Sequence, residues 1–409
     1  MNRIALITAV VLVLVAGAVW ADSSGRIYGK ITTIDGDTFE GLIRWDKNEA
    51  NWCDILDGTK EMSKHKKSKS RKRYKEREGT IELFGIELGS NTTISWSNSA
   101  QSGIRVGHIK TLEVTDDQSA LLILKSGQEV ELAHGSTDIG DDIREIIIED
   151  DDEGEIELVW DDIERIDFAD AGGNRTSNFG ERLYGTLTTR RGEEFTGWVC
   201  WDVDEVFESD ILDGEYDNRT RKIKFGKIKA IERYSSNGAN VTLTNGDEMV
   251  LRETNDVNDG NRGIIIADPA FGQIVVKWDE FDRLEFSPAP KGLRYGDFDG
   301  GRPLKGTVYT EDGDSYKGTI RWDDDEEYTW EILDGNNRDI EFDIEFGLIK
   351  EIKKRSYRSS VVIVSDGREF RLRDSNDVDE DNKGIFITLD DGEEVEVEWA
   401  EFDRVEFDR

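Results

Sequence analysis

The chain contains the sequence YGKITTIDGDTFEGLIRWD at residues 28–46 and returns to the same pattern twice, as YGTLTTRRGEEFTGWVCWD (184–202) and KGTVYTEDGDSYKGTIRWD (305–323). Three glycines and one Trp coincide in all three copies, and an Ile-Leu-Asp-Gly tetrapeptide follows each copy after the same interval. A constant register over so many positions indicates an internal repeat, which has to be recognised before local structure is assigned.

A second landmark closes each copy, as LVWDDIERIDF (158–168), VKWDEFDRLEF (276–286) and VEWAEFDRVEF (397–407). The interval between the two landmarks is longer in the first copy, and the excess lies near residues 59–103. We therefore divide the chain into repeats at 25–169, 181–287 and 301–408. The connecting segments are rich in Gly, Pro, Ser and Asn, which is typical of linkers.

Local patterns predict β-strands along most of the chain. Apolar and charged residues alternate in runs such as 395–399, and Asn-Gly or Asp-Gly turns separate such runs at 244–247, 365–368 and 390–393. The sequence therefore predicts an all-β fold of three tandem repeats, each made of two small five-stranded SH3-like or Sm-like barrels. A β-propeller is disfavoured, because its blades would recur every 40–45 residues or so.

The first residues have the pattern of a secretory signal peptide. One basic residue, Arg3, precedes an apolar stretch at 4–21 in which small residues occupy positions 19 and 21. An uncleaved membrane anchor is the alternative, since the stretch is close to the lower length limit of a spanning helix. With residues 1–21 as a signal peptide and no later apolar segment of sufficient length, we expect a periplasmic or secreted protein without a transmembrane segment after cleavage.

The charge balance restricts the partners of the protein. The chain has 90 acidic and 53 basic residues and a formal net charge of −37. Such a surface repels nucleic acids and anionic lipids, so we expect no general nucleic-acid binding. A high-salt habitat would produce the same excess of acidic residues. Cys53 and Cys200 occupy non-equivalent positions of different repeats, and we expect two unpaired, buried thiols.

Tryptophan occurs at matched and at unmatched positions. The matched residues are expected to be core landmarks that each repeat rebuilds, with an aromatic platform for sugars or peptides as the alternative. They are Trp45, Trp160, Trp201, Trp278, Trp322 and Trp399. Trp52 and Trp330 lie close to the Ile-Leu-Asp-Gly turn and have no equivalents, so we predict that they are exposed ligand-binding residues.

Acidic loops in the second halves of the repeats are the candidate metal sites. The candidate ligands are Asp377, Asp379, Asp381, Asp256 and Asn258. Alternate oxygen ligands on a tight turn suit calcium, which takes six to eight of them. However, Asn382 stands where a calcium loop has its turn glycine, and a solvated turn is the competing interpretation. No cofactor other than calcium is predicted.

A basic stretch at 60–77, KEMSKHKKSKSRKRYKER, lies inside the excess of the first repeat. A basic run in so acidic a chain is typical of a polyanion-binding loop, and its ligand would be an acidic polysaccharide, a lipid headgroup or extracellular nucleic acid. The alternative is a solvated loop attracted to the acidic surface. The candidate ligand-binding residues are Lys66, Lys67, Lys69, Arg71, Lys72 and Arg73.

Catalytic motifs are missing from the sequence. The three histidines do not recur between repeats, and no nucleophile-elbow, zinc-protease, Cys-x-x-Cys or phosphate-loop pattern occurs. We therefore predict an exported non-catalytic repeat scaffold or binding protein that acts through β-barrel surfaces on an unknown protein or polysaccharide. The alternatives are a calcium-stabilised extracellular adhesin or carbohydrate-binding array, and a glycan-active hydrolase.

Overall fold

The computed structural model describes residues 23–61, 82–83, 86–87, 99–133, 136–172 and 175–408. The regular elements in these ranges are β-strands and three-residue 3₁₀ helices, which confirms the predicted all-β class. None of these short helices could cross a membrane. The predicted signal peptide at 1–21 and the basic residues from 64 to 77 lie outside the described residues.

The described residues form thirty-two strands, distributed over the three repeats. The first repeat contains β1 Tyr28–Thr33, β2 Thr38–Trp45, β3 Ile55–Glu61, β4 Glu82–Leu83, β5 Ile86–Glu87, β6 Ser99–Arg105, β7 Ile109–Asp116, β8 Ser119–Leu124, β9 Glu129–Ala133, β10 Ile146–Asp150, β11 Gly154–Leu158 and β12 Ile163–Phe168. The second contains β13 Tyr184–Thr189, β14 Glu194–Cys200, β15 Ile211–Tyr216, β16 Arg219–Lys224, β17 Ile228–Ser235, β18 Gly238–Leu243, β19 Glu248–Arg252, β20 Ile264–Asp268, β21 Gly272–Val276 and β22 Phe281–Phe286.

The third repeat contains β23 Lys305–Thr310, β24 Ser315–Arg321, β25 Ile332–Asn337, β26 Ile340–Glu345, β27 Ile349–Ser356, β28 Ser359–Val364, β29 Glu369–Leu372, β30 Ile385–Thr388, β31 Glu394–Val397 and β32 Phe402–Phe407. The 3₁₀ helices span Ser23–Gly25, Val106–His108, Trp160–Asp162, Phe225–Lys227, Asn255–Val257, Tyr295–Asp297 and Phe346–Leu348.

Segments that align in sequence take the same places in the antiparallel sheets. The sheet of the first repeat has the order β11-β10-β2-β1-β12-β7-β8-β9-β3-β6, and the second repeat has β21-β20-β14-β13-β22-β17-β18-β19-β15-β16. The third repeat follows this order from β31 to β29, but its remaining hairpin joins another sheet. In none of the described sheets does the last strand pair with the first, so closed barrels stay a prediction.

The predicted hairpin turns are confirmed. Residues 244–247, 365–368 and 390–393 connect β18 to β19, β28 to β29 and β30 to β31. Their glycines, Gly246, Gly367 and Gly392, have φ angles of 91°, 94° and 86°. Glycine adopts this left-handed region without the steric cost that a Cβ brings, so each turn closes two neighbouring strands tightly.

The hairpin β25–β26 links the second and third repeats. Strand β26 pairs with β21 over its full length, from Gly272↔Ile344 to Val276↔Ile340. Towards its own repeat, β25 makes a single bridge, Asn336↔Arg373. The rings of Phe271, Phe342 and Phe370 pack together at this joint, with centroids 5.0–6.4 Å apart. The second and third repeats consequently share one hydrophobic core.

The first repeat has a separate main core, which Trp198 of the second repeat and Trp330 of the third also join, and it forms buried ion pairs with both neighbours. Arg44 and Asp210 form an ion pair of 3.0 Å with the second repeat, and Arg182 and Asp54 form another of 3.0 Å. Arg105 meets Glu345 of the third repeat at 3.2 Å. All of these side chains are buried or nearly so, and a buried pair holds its geometry only while both partners are present.

The segment between the second and third repeats crosses the surface of the first. The Tyr295 ring lies 4.6 Å from the Trp52 ring, and its hydroxyl donates to the Ile109 carbonyl at 2.9 Å. Further along, the Gly300 N–H donates to His108 Nδ1 at 3.2 Å. This segment is therefore a structural part of the first repeat, because it covers residues that the repeat alone would expose.

This packing corrects one prediction. Trp52 and Trp330 were expected to be exposed, but they are 0% and 1% exposed. Tyr295 covers Trp52, and Trp330 packs into the core of the first repeat, where its indole donates to Gln128 Oε1 at 3.1 Å. The six matched tryptophans are buried as predicted, and Cys53 and Cys200 are free and buried as predicted.

Candidate functional site

Each repeat turns sharply at its Trp-Asp dipeptide. The aspartates Asp46, Asp202 and Asp323 adopt left-handed φ angles of 41°, 51° and 47° and are at most 1% exposed. Each carboxylate accepts the backbone N–H of a basic residue from the loop before the strand β10, β20 or β30 and pairs with the side chain of that residue. These partners are Arg144, Arg262 and Lys383. The basic partner is what allows a buried carboxylate at this position.

The same turn carries the matched Trp, whose indole is hydrogen-bonded to an acidic loop. Trp45, Trp201 and Trp322 donate through Nε1 to the carbonyls of Asp138, Asp256 and Asp377, at 2.9, 2.9 and 3.0 Å. The side chain of each of these aspartates accepts the N–H of the Asp in Ile-Leu-Asp-Gly, at 2.8, 2.6 and 2.9 Å. The Trp-Asp turn, the Ile-Leu-Asp-Gly segment and the acidic loop of each repeat therefore meet at one point.

A glutamate four residues after the Trp completes the arrangement. Backbone bridges connect Trp45 with Glu49, Trp201 with Glu205 and Trp322 with Glu326. One buried carboxyl oxygen of each glutamate, Oε2, has no hydrogen-bond partner among the described residues. Four carboxyls thus form a carboxyl cluster in each repeat. The first cluster is Asp46, Glu49, Asp57 and Asp138, the second Asp202, Glu205, Asp213 and Asp256, and the third Asp323, Glu326, Asp334 and Asp377.

Burial among like charges raises the pKa values of nine of these twelve carboxyls. Removal from water is the largest cause, and the neighbouring carboxylates add to it. The pKa of Asp256 is raised to about 6, that of Asp138 to about 8 and that of Glu205 to about 9. The pKa values of Glu49, Glu326 and Asp377 lie well above the ordinary range. The cluster glutamates Glu49, Glu205 and Glu326 are therefore protonated at neutral pH.

The predicted metal ligands divide into two groups. Asp377 and Asp256 belong to the third and second carboxyl clusters. The others close their own loops: Asp379 Oδ1 accepts the Asp381 N–H at 3.0 Å, and Asn258 Oδ1 accepts the Gly260 N–H at 2.7 Å. In the described part of the chain, no group of three or more His, Cys, Asp or Glu side chains is arranged to hold a metal ion. Calcium binding stays a prediction, and the basic-loop residues Lys66 to Arg73 lie outside the described ranges.

Two of the clusters border a cavity. The first lines a small cavity of about 50 Å³ between the first and second repeats, beside Arg182 and Cys200. The third lines a cleft of about 430 Å³ between the first and third repeats, which we call the acidic cleft. One wall of the acidic cleft comes from β6, at residues 100–103, and the other from residues 325–326, β25, β26 and the loop before β30.

The acidic cleft is rich in carboxyl groups. Seven acidic residues and one lysine, Lys383, line it; the acidic residues are Asp325, Glu326, Asp334, Glu341, Asp343, Asp374 and Asp377. Lys383 is already paired with Asp323 at 3.0 Å. The Asp325 side chain is 5% exposed and Glu326 is 6% exposed. Their oxygens Oδ1 and Oε2 are buried and have no hydrogen-bond partner within the described ranges.

The cluster glutamates were missed by the sequence analysis, although their signal was present. Trp-Asp-x-x-Glu occurs at residues 45–49, 201–205 and 322–326, in register with the other landmarks. In a chain with 90 acidic residues a single Glu carries little information, and only its threefold recurrence after Trp-Asp marks it.

Comparisons with known proteins add no family to this geometry. No family model, no curated protein sequence and no solved structure matches the chain.

Proposed function

We propose that this chain is an exported, non-catalytic binding protein whose acidic cleft receives an extended polypeptide rich in lysine or arginine. The observation that carries the proposal is a cleft of about 430 Å³ with seven acidic residues and one already paired lysine on its walls. Export is supported by the apolar sequence at 4–21 and the small residues that end it.

Cationic side chains are the ligand groups that the walls favour. Glu326 and Asp325 have buried oxygens without a hydrogen-bond partner in the described residues, and ammonium or guanidinium groups are pure donors. A bound cation would also lower the raised pKa values of Glu326 and Asp377, because an opposite charge stabilises the ionised carboxylate. Binding should therefore release protons.

An extended polypeptide is favoured over a compact amine by the wall opposite the carboxyls. Strand β6 is the last described strand in the order of its sheet, and its residues 100–103 line the cleft. Addition of a strand to a sheet edge supplies main-chain hydrogen bonds, while side-chain pockets supply specificity.

Two five-stranded SH3-like units per repeat are the architecture that we propose for this scaffold. In the first repeat, β11-β10-β2-β1-β12 and β7-β8-β9-β3-β6 are two runs of five neighbouring strands. In each run a 3₁₀ helix directly precedes the strand that pairs with the other run. These helices are Trp160–Asp162 before β12 and Val106–His108 before β7. The second repeat has the same strand order. This supports an arrangement in which one five-stranded unit is inserted into the chain of the other.

A non-catalytic role is supported by the geometry of the most conspicuous carboxyl pair. The side chains of Asp334 and Asp377 share a hydrogen bond at the cleft wall. Glycoside hydrolases hold their two carboxyls roughly 5–9.5 Å apart to leave room for the sugar and water. This pair is closer than that, so it does not favour the alternative of a glycan-active hydrolase.

Calorimetric titration of the purified chain with a lysine-rich hexapeptide tests the proposal. We expect saturable binding that weakens with salt and releases protons at neutral pH. Changing Asp325→Asn together with Asp374→Asn should weaken binding about tenfold or more, because even one hydrogen bond to a charged group contributes about 1.5–3 kcal/mol. The matched control Asp390→Asn with Asp391→Asn removes the same charge from an exposed turn and should leave binding unchanged.

Equal weakening in both double variants would mean that peptide binds the acidic surface in general, and the proposal would be wrong. Calcium chloride is the second probe. A calcium-dependent rise in the unfolding temperature that Asp377→Asn removes, with no peptide binding, would instead favour the calcium-stabilised array. Hydrolysis of a polysaccharide panel that Asp377→Asn abolishes would favour the hydrolase.

A further inference from the structure

Three sheet edges of the molecule have no neighbouring strand in the part of the chain that the structure describes and lie away from the acidic cleft. They are β11 in the first repeat, β16 in the second and β31 in the third. Strand β16 reads RTRKIK and exposes four basic side chains, whereas β11 reads GEIEL and exposes Glu155 and Glu157. An exposed edge strand offers backbone hydrogen bonds to another strand.

The molecule itself shows how such edges pair. Strand β21 of the second repeat is equivalent to β11, and strand β26 of the third repeat is equivalent to β16. These two strands pair antiparallel, with Gly272 opposite Ile344 and Gln273 opposite Asp343. The joint between the second and third repeats is therefore a template for a pairing of β11 with β16 that the single chain does not make.

A glycine decides which acidic edge fits the template. A Cβ on Gly272 would lie 1.9 Å from the Asp343 carbonyl oxygen of the paired strand. Strand β11 has Gly154 at this position, with open space around it, but β31 has Glu393 there. Strand β31 would therefore clash in the template register, whereas β11 would not.

We infer that β11 of one copy pairs with β16 of a second copy of this chain. The template register places Gly154 opposite Ile223, Glu155 opposite Lys222 and Glu157 opposite Thr220. Opposite charges directly across two strands attract, which adds to the main-chain hydrogen bonds. The joint is heterologous, so copies join head to tail into a ring or a fibre unless a second, reciprocal joint closes a dimer.

The side chains make this joint weaker than its template. Where the template packs Phe271 and Phe342 against each other, the equivalent residues are Glu153 and Arg221. An apolar contact is thus replaced by an exposed charge pair, which salt screens. We therefore expect a reversible, salt-sensitive assembly between chains, in contrast to the permanent joint inside each chain.

The sign of the charge on β16 argues against simple edge protection. Charged edge strands prevent unwanted pairing, and a strand that only has to repel other copies would share the sign of the net charge of −37. Strand β31 has this negative sign, which Glu394 and Glu396 carry. Strand β16 has the opposite sign, so it attracts acidic edges of other copies.

Sedimentation velocity of the purified chain tests the inference. Species larger than the monomer should form at about 0.01 M salt and dissociate towards about 1 M, as the screening length shortens. Lys222→Glu and Glu155→Lys should each weaken association about tenfold, because each places like charges opposite one another. An equimolar mixture of these two variants should associate again, because every joint between unlike copies then has opposite charges. Glu394→Lys on β31 is the matched control and should have no effect.

Cysteine cross-linking checks the register independently of charge. A copy with Glu157→Cys mixed with a copy carrying Thr220→Cys should form a disulfide-linked dimer of one copy of each, because these positions face each other in the template register. A monomer at the highest soluble concentration in low salt would overturn the inference. A mixture of the two charge variants that fails to associate would also overturn it. So would a Glu394→Lys variant that weakens association as much as the two charge variants do.

Discussion

At the scale of single residues, the matched tryptophans are anchors for charge as much as core residues. Trp201 fills the core with an aromatic ring, and its indole N–H holds the Asp256 loop, whose carboxylate in turn holds Asp213. One side chain thereby connects the apolar core with the second carboxyl cluster. The same connection exists in the other two repeats, which explains why Trp, and not another aromatic residue, recurs at this position.

Substitution of Trp201 by Phe should therefore destabilise the protein by more than the loss of volume. The Asp256 carbonyl would lose its donor in a buried site, at a cost of about 1–3 kcal/mol. Trp52 offers a matched control, because it is equally buried and its Nε1 has no hydrogen-bond partner among the described residues. Denaturant unfolding should give a larger loss for Trp201→Phe than for Trp52→Phe, and equal losses would contradict the anchoring role.

The burial of a single residue could be predicted where the same residue recurs in all three repeats. The burial of Trp45 and its equivalents followed from their recurrence. Trp52 and Trp330 have no equivalents, and their burial depends on Tyr295 and Gln128, which are distant in sequence. Local patterns do not encode such long-range contacts, and for this reason the sequence analysis placed both residues on the surface.

At the scale of elements, the paired glycines of the first hairpin explain the most regular feature of the repeat. Gly185 lies directly opposite Gly197, and the equivalent glycines of the other repeats are paired in the same way. A Cβ on Gly197 would lie 2.3 Å from the Ala267 carbonyl of the neighbouring strand β20. The strands can cross this closely only because the side chain is absent.

Gly197→Ala should consequently destabilise the second repeat by about 1–3 kcal/mol, the usual cost of an overpacked core. The backbone oxygen that the new methyl group meets cannot move without breaking the ladder. Gly296→Ala is the control, since no atom lies within 4 Å of a Cβ there and its φ is not left-handed. Thermal unfolding should show a lower midpoint for Gly197→Ala alone; equal midpoints would contradict the close approach.

Elements were predictable from sequence as strands and turns, but not in their partners. The pattern of β26, IEFDIE, predicts a strand with one apolar face, and that strand exists. Its pairing with β21 of the preceding repeat could not be predicted, because β6 and β16 occupy the equivalent place and pair differently. The choice depends on Phe271 and Phe342 together, which lie in different repeats.

At the scale of the whole molecule, three carboxyl clusters give the protein an unusual response to pH. Carboxyls such as Asp256, Asp138 and Glu205 have folded-state pKa values of about 6, 8 and 9. The same groups in the unfolded chain titrate near roughly 4. Between these values the folded state holds more protons than the unfolded state, so the free energy of unfolding falls as the pH rises.

We therefore expect a higher unfolding temperature at about pH 5 than at about pH 9. The stabilisation by the protonated clusters is complete near the unfolded pKa of roughly 4, and it is lost as the pH rises through the folded-state pKa values. General repulsion in a chain of charge −37 acts in the same direction, so a variant has to separate the two causes. Glu205→Gln keeps the shape of the side chain and removes its titration, and it should flatten the decline between these pH values. Asp390→Asn removes an exposed charge and should leave the slope unchanged. Calorimetry at a series of pH values measures both slopes, and identical slopes would mean that surface repulsion, not the buried clusters, governs stability.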